Sequence, residues 1–322
     1  MIKTDIAQPI GGYFSLELPC KEEYHPLALK LNTGRNCLEY ILRCRHYKKV
    51  YVPRYICSSA LEPFAKLGVE YRTYGIDRQL ELGEDIALGD SEALMYVNYF
   101  GLKDNYVARL AEKYGQRLIV DNTQAFFNRP VAGIDTFYSC RKFFGVPDGA
   151  YLYTTAQADF DIEQDVSFER MDFLCKRIDI SPEEAYRDFR AESDSLAGQP
   201  IKIMSKLTER LMQAIDYEAA VHQRCANYDL LDQALQDSNL LRLERAADSV
   251  PMVYPYLCEL DGLRQFLIAH KVFVAQYWPD VLKWTAKDEW EHQVTRRMLP
   301  LPIDQRYGKA DMERILALLK AN

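Results

Sequence analysis

Between residues 30 and 155, short apolar runs alternate with stretches that have the period of an amphipathic helix. The pattern predicts strands at 49–53, 69–74, 93–98, 118–121, 136–139 and 150–154, and helices at 58–67 and 105–114. Short strands separated by helices are typical of a mostly parallel sheet covered on both faces, so we expect a three-layer α/β fold. In open sheets of this kind, ligands bind at the carboxyl ends of the strands.

The second half of the chain has a different pattern. An acidic stretch at 155–200 contains Ser181-Pro-Glu-Glu184, which is typical of a helix that begins after Ser181. Beyond it, the pattern predicts one long helix or two in series at 203–235, strands at 252–258 and 272–275, helices at 262–270 and 309–320, and extended chain at 298–302. A length of 322 residues favours two domains. We expect a large domain at 1–215 and a smaller C-terminal α/β domain at 216–322.

Charge and composition argue against several classes of protein. The net charge is -7 and no run of Lys or Arg stands out, which argues against a nucleic-acid partner. No apolar stretch approaches the roughly 18 residues of a membrane span, and the N-terminus lacks the apolar region of a secretory signal. The 8 cysteines form no Cys-x-x-Cys pair, and the 5 histidines have no metal-ligand spacing. We therefore expect a cytoplasmic protein with reduced thiols and no metal site.

Two candidate catalytic residues end neighbouring apolar runs. Asp121 closes the run Leu-Ile-Val, and Lys142 follows Ser139-Cys-Arg among aromatic residues that favour a shielded, nucleophilic lysine. Taken singly, Asp121 could be a turn residue and Lys142 a solvated surface lysine. Together they are the pair that pyridoxal 5'-phosphate (PLP) requires: a carboxylate at the pyridine nitrogen and a lysine that binds the aldehyde.

Further residues fit the remaining groups of that cofactor. Thr33 can cap a helix whose first amides, at Gly34 and Arg35, would face a phosphate, although Thr-Gly before a helix is also a common plain cap. Ser139, three residues before Lys142, is a second candidate phosphate ligand. Gln124 is placed to contact the phenolic oxygen.

Two other candidates end earlier strands. Tyr55 follows the strand predicted at 49–53, and Asn98 ends the strand predicted at 93–98, next to Tyr99 and Phe100. Aromatic rings at these positions could lie against a pyridine ring, although core packing alone also accounts for them.

Several segments, in order and with matching internal spacing, carry a family resemblance. They are Asn32-Thr-Gly-Arg-Asn36, Val52-Pro-Arg-Tyr55, Val97-Asn-Tyr-Phe-Gly101, Asp121-Asn-Thr-Gln-Ala125, the stretch from Lys142 to Thr154, Arg224-Cys-Ala-Asn-Tyr228 and Leu299-Pro-Leu-Pro302. From about residue 28 to the C-terminus, the chain resembles the DegT-type nucleotide-sugar aminotransferases, PLP enzymes of fold type I related to aspartate aminotransferase.

The resemblance implies a role for each candidate. Lys142 would bind the cofactor aldehyde and act as acid and base, Asp121 would pair with the pyridine nitrogen, and Gln124 would contact the phenolic oxygen. The phosphate ligands would be Gly34, Arg35 and Ser139, and the further cofactor contacts would be Tyr55 and Asn98. The resemblance also implies transfer of an amino group, typically from glutamate, to a keto-sugar in cell-surface polysaccharide biosynthesis. The enzyme would be a homodimer with its active site at the subunit interface and small molecules as substrates.

The sequence departs from the family pattern at two places. The family's Gly-x-Asn-x-Arg segment falls at about 198–203, which contains neither Asn nor Arg, and its ring-stacking aromatic falls at Cys57. Two alternatives therefore stand beside the aminotransferase. One is a PLP enzyme of another type, a dehydratase or lyase or one acting on a non-nucleotide substrate. The other is a catalytically silent relative that binds PLP.

Overall fold

The structure, a computed structural model, describes residues 10–321. Its strands are β1 (Leu29–Leu31), β2 (Lys49–Pro53), β3 (Glu70–Tyr74), β4 (Glu92–Val97), β5 (Leu118–Asp121), β6 (Asp135–Ser139), β7 (Ala150–Tyr153), β8 (Val253–Leu257) and β9 (Met298–Pro302). The first seven form one sheet in the order β1-β7-β6-β5-β4-β2-β3. Strands β2 to β6 run parallel, whereas β7 is antiparallel to both β6 and β1. The predicted α/β class with a mostly parallel sheet is confirmed.

Helices flank this sheet and form much of the second half of the chain. They are α1 (Gly34–Arg45), α2 (Glu62–Leu67), α3 (Asp104–Tyr114), α4 (Asp172–Asp179), α5 (Pro182–Ser195), α6 (Lys206–Gln213), α7 (Tyr217–Leu235), α8 (Leu263–Ala269), α9 (Val281–Trp284), α10 (Trp290–Arg297) and α11 (Lys309–Lys320). Helix α1 packs on β6 and β7, and α3 packs on β5. Among residues 10–321, no helix has both the length and the apolar character that a membrane span needs.

A buried ion pair fixes the direction of α1 on the sheet. Arg45, at the end of the helix, donates two hydrogen bonds of 2.9 and 2.8 Å to Asp135, the fully buried first residue of β6. The 12 residues of α1 span about 18 Å. With its C-terminus held at the start of β6, the helix has its N-terminus at the other end of that strand, where Ser139 lies.

The structure decides between the two alternatives for 203–235 and contradicts one predicted strand. The stretch 203–235 is two helices in series, because the side chain of Asp216 accepts a hydrogen bond of 3.0 Å from Ala219 N and begins α7 as a new helix. The strand predicted at 272–275 is wrong. Val272 and Val274 are buried there, but the backbone of Val272 bonds back to Leu267 at the end of α8, and the segment joins neither sheet.

The C-terminal part has its own small sheet. Strands β8 and β9 are antiparallel, with Val253 opposite Pro302, and α7 packs against both β8 and α11. This part contacts the large sheet where Met252 N donates a hydrogen bond of 2.8 Å to Phe100 O. The division at residue 215 coincides with the start of α7 and stays a prediction.

Candidate active site

The candidate residues meet at the carboxyl ends of β4, β5 and β6. Asp121 lies opposite Val97 of β4 and Phe137 of β6 in the parallel register. Backbone hydrogen bonds continue just beyond the strands, from Asn98 N to Asp121 O at 3.0 Å and from Asn122 N to Phe137 O at 2.8 Å. The turns that follow these three strands are therefore side by side, as the rule for parallel sheets predicts.

Lys142 reaches from the end of β6 to the loop after β5. It lies in a short 3-10 turn, Cys140–Lys142, and its Nζ donates a hydrogen bond of 3.0 Å to Thr123 Oγ1. Phe143 and Phe144, which follow it, are buried, whereas Lys142 itself is exposed in the single chain. The expected shielding of the lysine is wrong for the isolated chain, because the turn directs the aromatic rings into the core and leaves Lys142 at the surface, with its Nζ on Thr123.

Asp121 is the buried member of the pair, with 5 % of its surface exposed. Its Oδ1 accepts a hydrogen bond of 2.8 Å from Thr123 N. Burial raises the pKa of Asp121, opposed by the charge of Lys142 and by the hydrogen bonds from Thr123. Thr123 thus connects both candidates, with its backbone on the carboxylate and its hydroxyl on the amine.

Gln124 carries a buried donor that lacks a protein acceptor. Its Oε1 accepts a hydrogen bond of 3.1 Å from Phe100 N, and the side chain is 1 % exposed. Its Nε2 has no hydrogen-bond partner within residues 10–321. Because buried amides are normally satisfied, this donor fits an acceptor on a ligand, as the predicted contact with a phenolic oxygen requires.

The N-terminus of α1 lies against the same loop. A Cβ added at Gly34 would lie 3.1 Å from Thr123 Cγ2, so a residue without a side chain allows this close approach. Thr33 caps the helix, with its Oγ1 3.2 Å from Asn36 N, and the free amides of the first turn form an anion site beside Thr123. The Arg35 guanidinium is paired with Glu62, so the backbone is the part of Arg35 that this geometry offers to a phosphate.

Ser139, the second predicted phosphate ligand, is the last residue of β6 and is half-buried. Its hydroxyl forms no hydrogen bond with the described part of the chain. It lies three residues before Lys142, at the end of β6 toward which the N-terminus of α1 is directed. Its role as a phosphate ligand stays a prediction.

The other two predicted cofactor contacts have partners within the fold. Asn98 Nδ2 donates to Asp104 Oδ1 at 2.7 Å, and its Oδ1 accepts from Lys103 N at 3.0 Å, so the amide fixes the start of α3. The Tyr55 ring is fully buried and stacks on Tyr99 at 5.5 Å, with its hydroxyl unpartnered among the described residues. Contact of Asn98 and Tyr55 with a cofactor stays a prediction.

The structure adds residues that the sequence did not single out. Gln305 Nε2 donates to Phe143 O at 2.9 Å, and the Arg224 guanidinium lies 4.6 Å from the centre of the Phe143 ring. Arg224 Nε also donates to Gln305 Oε1 at 2.9 Å. Gln305 and Arg224 together therefore fix the position of Phe143, the residue after Lys142. Thr123 and Arg224 lay inside quoted motifs, but Gln305 had no local signal.

One of the two departures from the family pattern borders this site. The segment 198–203 runs beside the start of α1, where Pro200 O accepts hydrogen bonds from Asn32 at 3.1 Å and from Asn36 at 2.8 Å. Cys57 is half-buried, and its Sγ lies 3.0 Å from Ser59 Oγ. The segment without Asn and Arg therefore borders the proposed phosphate end of the site.

Comparison with solved structures identifies the type of fold. No protein-family model and no curated protein matches this sequence. A DegT DnrJ EryC1 StrS aminotransferase from Brucella abortus aligns with a TM-score of 0.58 at 18 % identity, over 91 % of this chain and 85 % of that chain. The aminotransferase TlmJ from Streptoalloteichus hindustanus gives 0.63 at 17 %, over 91 % and 85 %. The sugar aminotransferase CalS13 from Micromonospora echinospora gives 0.61 at 14 %, over 92 % and 88 %.

These structural matches identify the fold of the chain. The mostly parallel sheet with flanking helices is the architecture of PLP-dependent aminotransferases, so the expected fold type is confirmed. Structures that match over about nine-tenths of the chain include a DegT DnrJ EryC1 StrS aminotransferase and a sugar aminotransferase. The fold that the sequence motifs implied is therefore the fold that the chain has.

Proposed function

We propose that this chain is a PLP-dependent aminotransferase that moves an amino group, with glutamate as the donor, to a keto-sugar. The observation that carries the proposal is the hydrogen bond from Lys142 Nζ to Thr123 Oγ1, beside the buried Asp121. An amine and a carboxylate joined by one loop at the carboxyl edge of this sheet suit a cofactor that needs both. The shared fold with sugar aminotransferases supports the choice of substrate class.

The residues present fit PLP at each of its polar groups. The buried carboxylate of Asp121 would accept a hydrogen bond from the protonated ring nitrogen, and the unpartnered Nε2 of Gln124 would donate to the phenolic oxygen. The first amides of α1 and the Ser139 hydroxyl would hold the phosphate. When bound, PLP supplies an electron sink for the substrate carbon. A Streptococcus pneumoniae structure that matches this chain is known in PLP and PMP forms.

Asp121 and Lys142 would have different roles, Asp121 in stabilising charge and Lys142 in transferring protons. Burial favours the neutral form of Asp121, so the carboxylate gains most from a cationic partner and would hold a proton on the ring nitrogen. Lys142 is accessible from solvent, and Thr123 Oγ1 orients its amine. Its Nζ would take a proton from the amine-bearing carbon of the donor as general base, and in the second half-reaction it would deliver one to the carbonyl carbon of the keto-sugar as general acid.

The finer parts of the proposal concern the setting of the enzyme. We propose a homodimer in the cytoplasm, with two domains divided near residue 215 and a role in cell-surface polysaccharide biosynthesis. The exposure of Lys142 in the single chain supports the dimer, because a second subunit could close the open side of the site and exclude water.

Absorption spectroscopy tests the proposal directly. Wild-type protein with PLP should show the visible band of lysine-bound cofactor, and Lys142→Ala should lose it. Lys287→Ala, which removes another exposed lysine, should keep the band. Absence of the band in wild-type protein with added PLP would refute the proposal.

Addition of glutamate then separates aminotransferase from silent relative. Glutamate should convert the visible band to that of the amine form of the cofactor within a single turnover. A stable band that glutamate does not change would reject the aminotransferase in favour of a protein that only binds PLP. Product analysis with a keto-sugar would distinguish transamination from dehydration.

A further inference from the structure

A small basic cavity lies in the C-terminal part of the chain, between the segment 260–263, α8 and the junction of α10 with β9. Its volume is about 220 Å³. The polar side chains that line it are Asp261, Arg264, Gln265, Gln276, Arg296 and Arg297. Three guanidinium groups therefore line one small cavity in a chain whose net charge is -7.

Two of these arginines have buried donors without acceptors. The Nε atoms of Arg264 and Arg297 are buried and have no hydrogen-bond partner in the part of the chain that the structure describes. Arg264 uses another nitrogen, Nη2, to donate to Met298 O at 2.7 Å. Buried N–H groups are normally paired, so each of these two arginines leaves a donor available to an acceptor from outside the chain.

The charge in the cavity is also uncompensated. Arg296 pairs with Asp261 through two hydrogen bonds of 3.0 and 3.1 Å, which neutralises that arginine. Neither Arg264 nor Arg297 forms a salt bridge with a carboxylate of residues 10–321, so two positive charges remain. A guanidinium presents its donors in a planar fork that matches phosphate and carboxylate oxygens.

We propose that this cavity binds an oxyanion, a phosphate or carboxylate group of a small ligand, between Arg264 and Arg297. The volume is below the roughly 300–1,000 Å³ of pockets that enclose whole drug-sized ligands, so the cavity holds the charged group alone. The remainder of the ligand extends outside. This site is separate from the phosphate site at α1 and is argued from different residues.

The cavity lies close to one of the predicted cofactor contacts. The charge of Arg264 opposes the burial that raises the pKa of the Tyr55 phenol, which places the two side chains near each other. Tyr55 in turn stacks on Tyr99, and Phe100 N bonds to Gln124. A ligand anchored at Arg264 is thus held on the side of the small sheet that approaches the candidate active site.

Calorimetric titration of the PLP-saturated protein tests the proposal with two probes. Inorganic pyrophosphate represents a phosphate source, and glutarate, which has no amine to react, represents a carboxylate source. We expect one of them to bind, with an affinity that falls as salt rises. Arg297→Gln should weaken that binding about tenfold or more, and Arg297→Lys, which keeps the charge but loses the fork, should restore only part of it.

Matched variants separate this site from the rest of the protein. Arg72→Gln removes an exposed arginine on β3 with the same change of charge and should leave binding unchanged. Arg264→Gln provides a second test in case Arg297→Gln does not fold, which circular dichroism will show. Binding of neither probe, or binding equal in wild type, Arg264→Gln and Arg297→Gln, would overturn the proposal. The visible PLP band reports independently on the proposed function, so the two can fail separately.

Discussion

Asp148 lies in the turn that follows Lys142, and its replacement by asparagine provides a quantitative test of how that turn is held. The carboxylate is fully buried, and no salt bridge to it occurs within the described residues. Its Oδ2 accepts a hydrogen bond of 2.8 Å from Ser205 N, and its Oδ1 accepts one of 2.7 Å from Ser205 Oγ and another from Thr208 Oγ1. These bonds tie the turn to the start of α6.

The magnitude follows from what asparagine can and cannot replace. Its amide oxygen can keep both hydroxyl bonds, because Ser205 and Thr208 donate to one oxygen. Its NH₂ group, however, would face Ser205 N, so a charge-assisted bond of about 1.5–3 kcal/mol is lost and two donors are opposed at a further cost of about 1–3 kcal/mol. Relief from burying a charge offsets part of this loss. We expect Asp148→Asn to lower the free energy of unfolding by about 3 kcal/mol.

Urea denaturation followed by circular dichroism measures this loss. The slope of the free energy against urea should stay that of the wild type, while the midpoint falls. Asp237→Asn removes an exposed carboxylate with the same change of charge and should leave the midpoint nearly unchanged. A loss below about 1 kcal/mol in Asp148→Asn would contradict the reasoning, since such a loss is typical of an exposed hydrogen bond.

Two further predictions concern pH and the turn of Lys142. Burial lowers the pKa of His25 from 6.5 to about 4, so the unfolded chain binds a proton that the folded chain does not, and stability present above pH 6.5 is lost as the pH falls towards 4. Between pH 7 and 4.5, wild type should lose roughly 2–3 kcal/mol more than His25→Asn in urea unfolding, and equal losses would contradict this assignment. Gln305→Met should lower kcat for the glutamate-dependent reaction about tenfold through misplacement of the residue after Lys142. A spectral titration should show PLP affinity within about twofold of wild type, because the contacts of Gln305 are with the backbone of Phe143 and with Arg224, not with the proposed cofactor ligands. An unchanged kcat would show that the bond from Gln305 to Phe143 does not position the lysine.

Six of the seven strands of the large sheet were predictable because each depends mainly on its own residues, whereas the three-residue edge strand β1 was not predicted. β2 and β5 begin and end at the predicted residues, and Asp121 is the last residue of β5. A continuous apolar run bounded by polar residues marks a strand that is buried on both faces. A local signal also predicted the start of α5, because a serine at that position caps a helix: Ser181 Oγ accepts a hydrogen bond from Glu184 N at 3.1 Å.

The strand predicted at 272–275 shows where local pattern is insufficient. Val272 and Val274 are buried while Phe273 between them is exposed, which is the alternation of a strand. A strand also needs a partner for its backbone, and the backbone of Val272 instead bonds to Leu267. Periodicity reports which side chains are buried, but it does not report where the backbone groups find their hydrogen bonds.

Some residues of the candidate site were also predictable from local sequence, and others were not. Thr123 and Gln124 follow Asp121 directly, so a single loop places the buried carboxylate, the orienting hydroxyl and the unpartnered amide. Gln305 reaches Phe143 across 162 positions of the chain, and only the packing of the C-terminal part brings them together. Spacing within a motif could therefore predict the first group, whereas the second required the tertiary structure.

The exposure of Lys142 connects these observations to the chemistry. Asp121 is buried, Lys142 is exposed, and Thr123 contacts both. The side of the site at Asp121 is therefore enclosed by this chain, and the side at Lys142 is open to solvent. The family motifs at Gly34, Asp121 and Gln124 lie on the enclosed side of the site, where the cofactor would be held. The segment 198–203, which lacks the family's Asn and Arg, borders the start of α1 through Pro200 O. In the proposed enzyme, this departure from the family pattern would therefore lie beside the phosphate end of the cofactor site, next to the motif at Gly34.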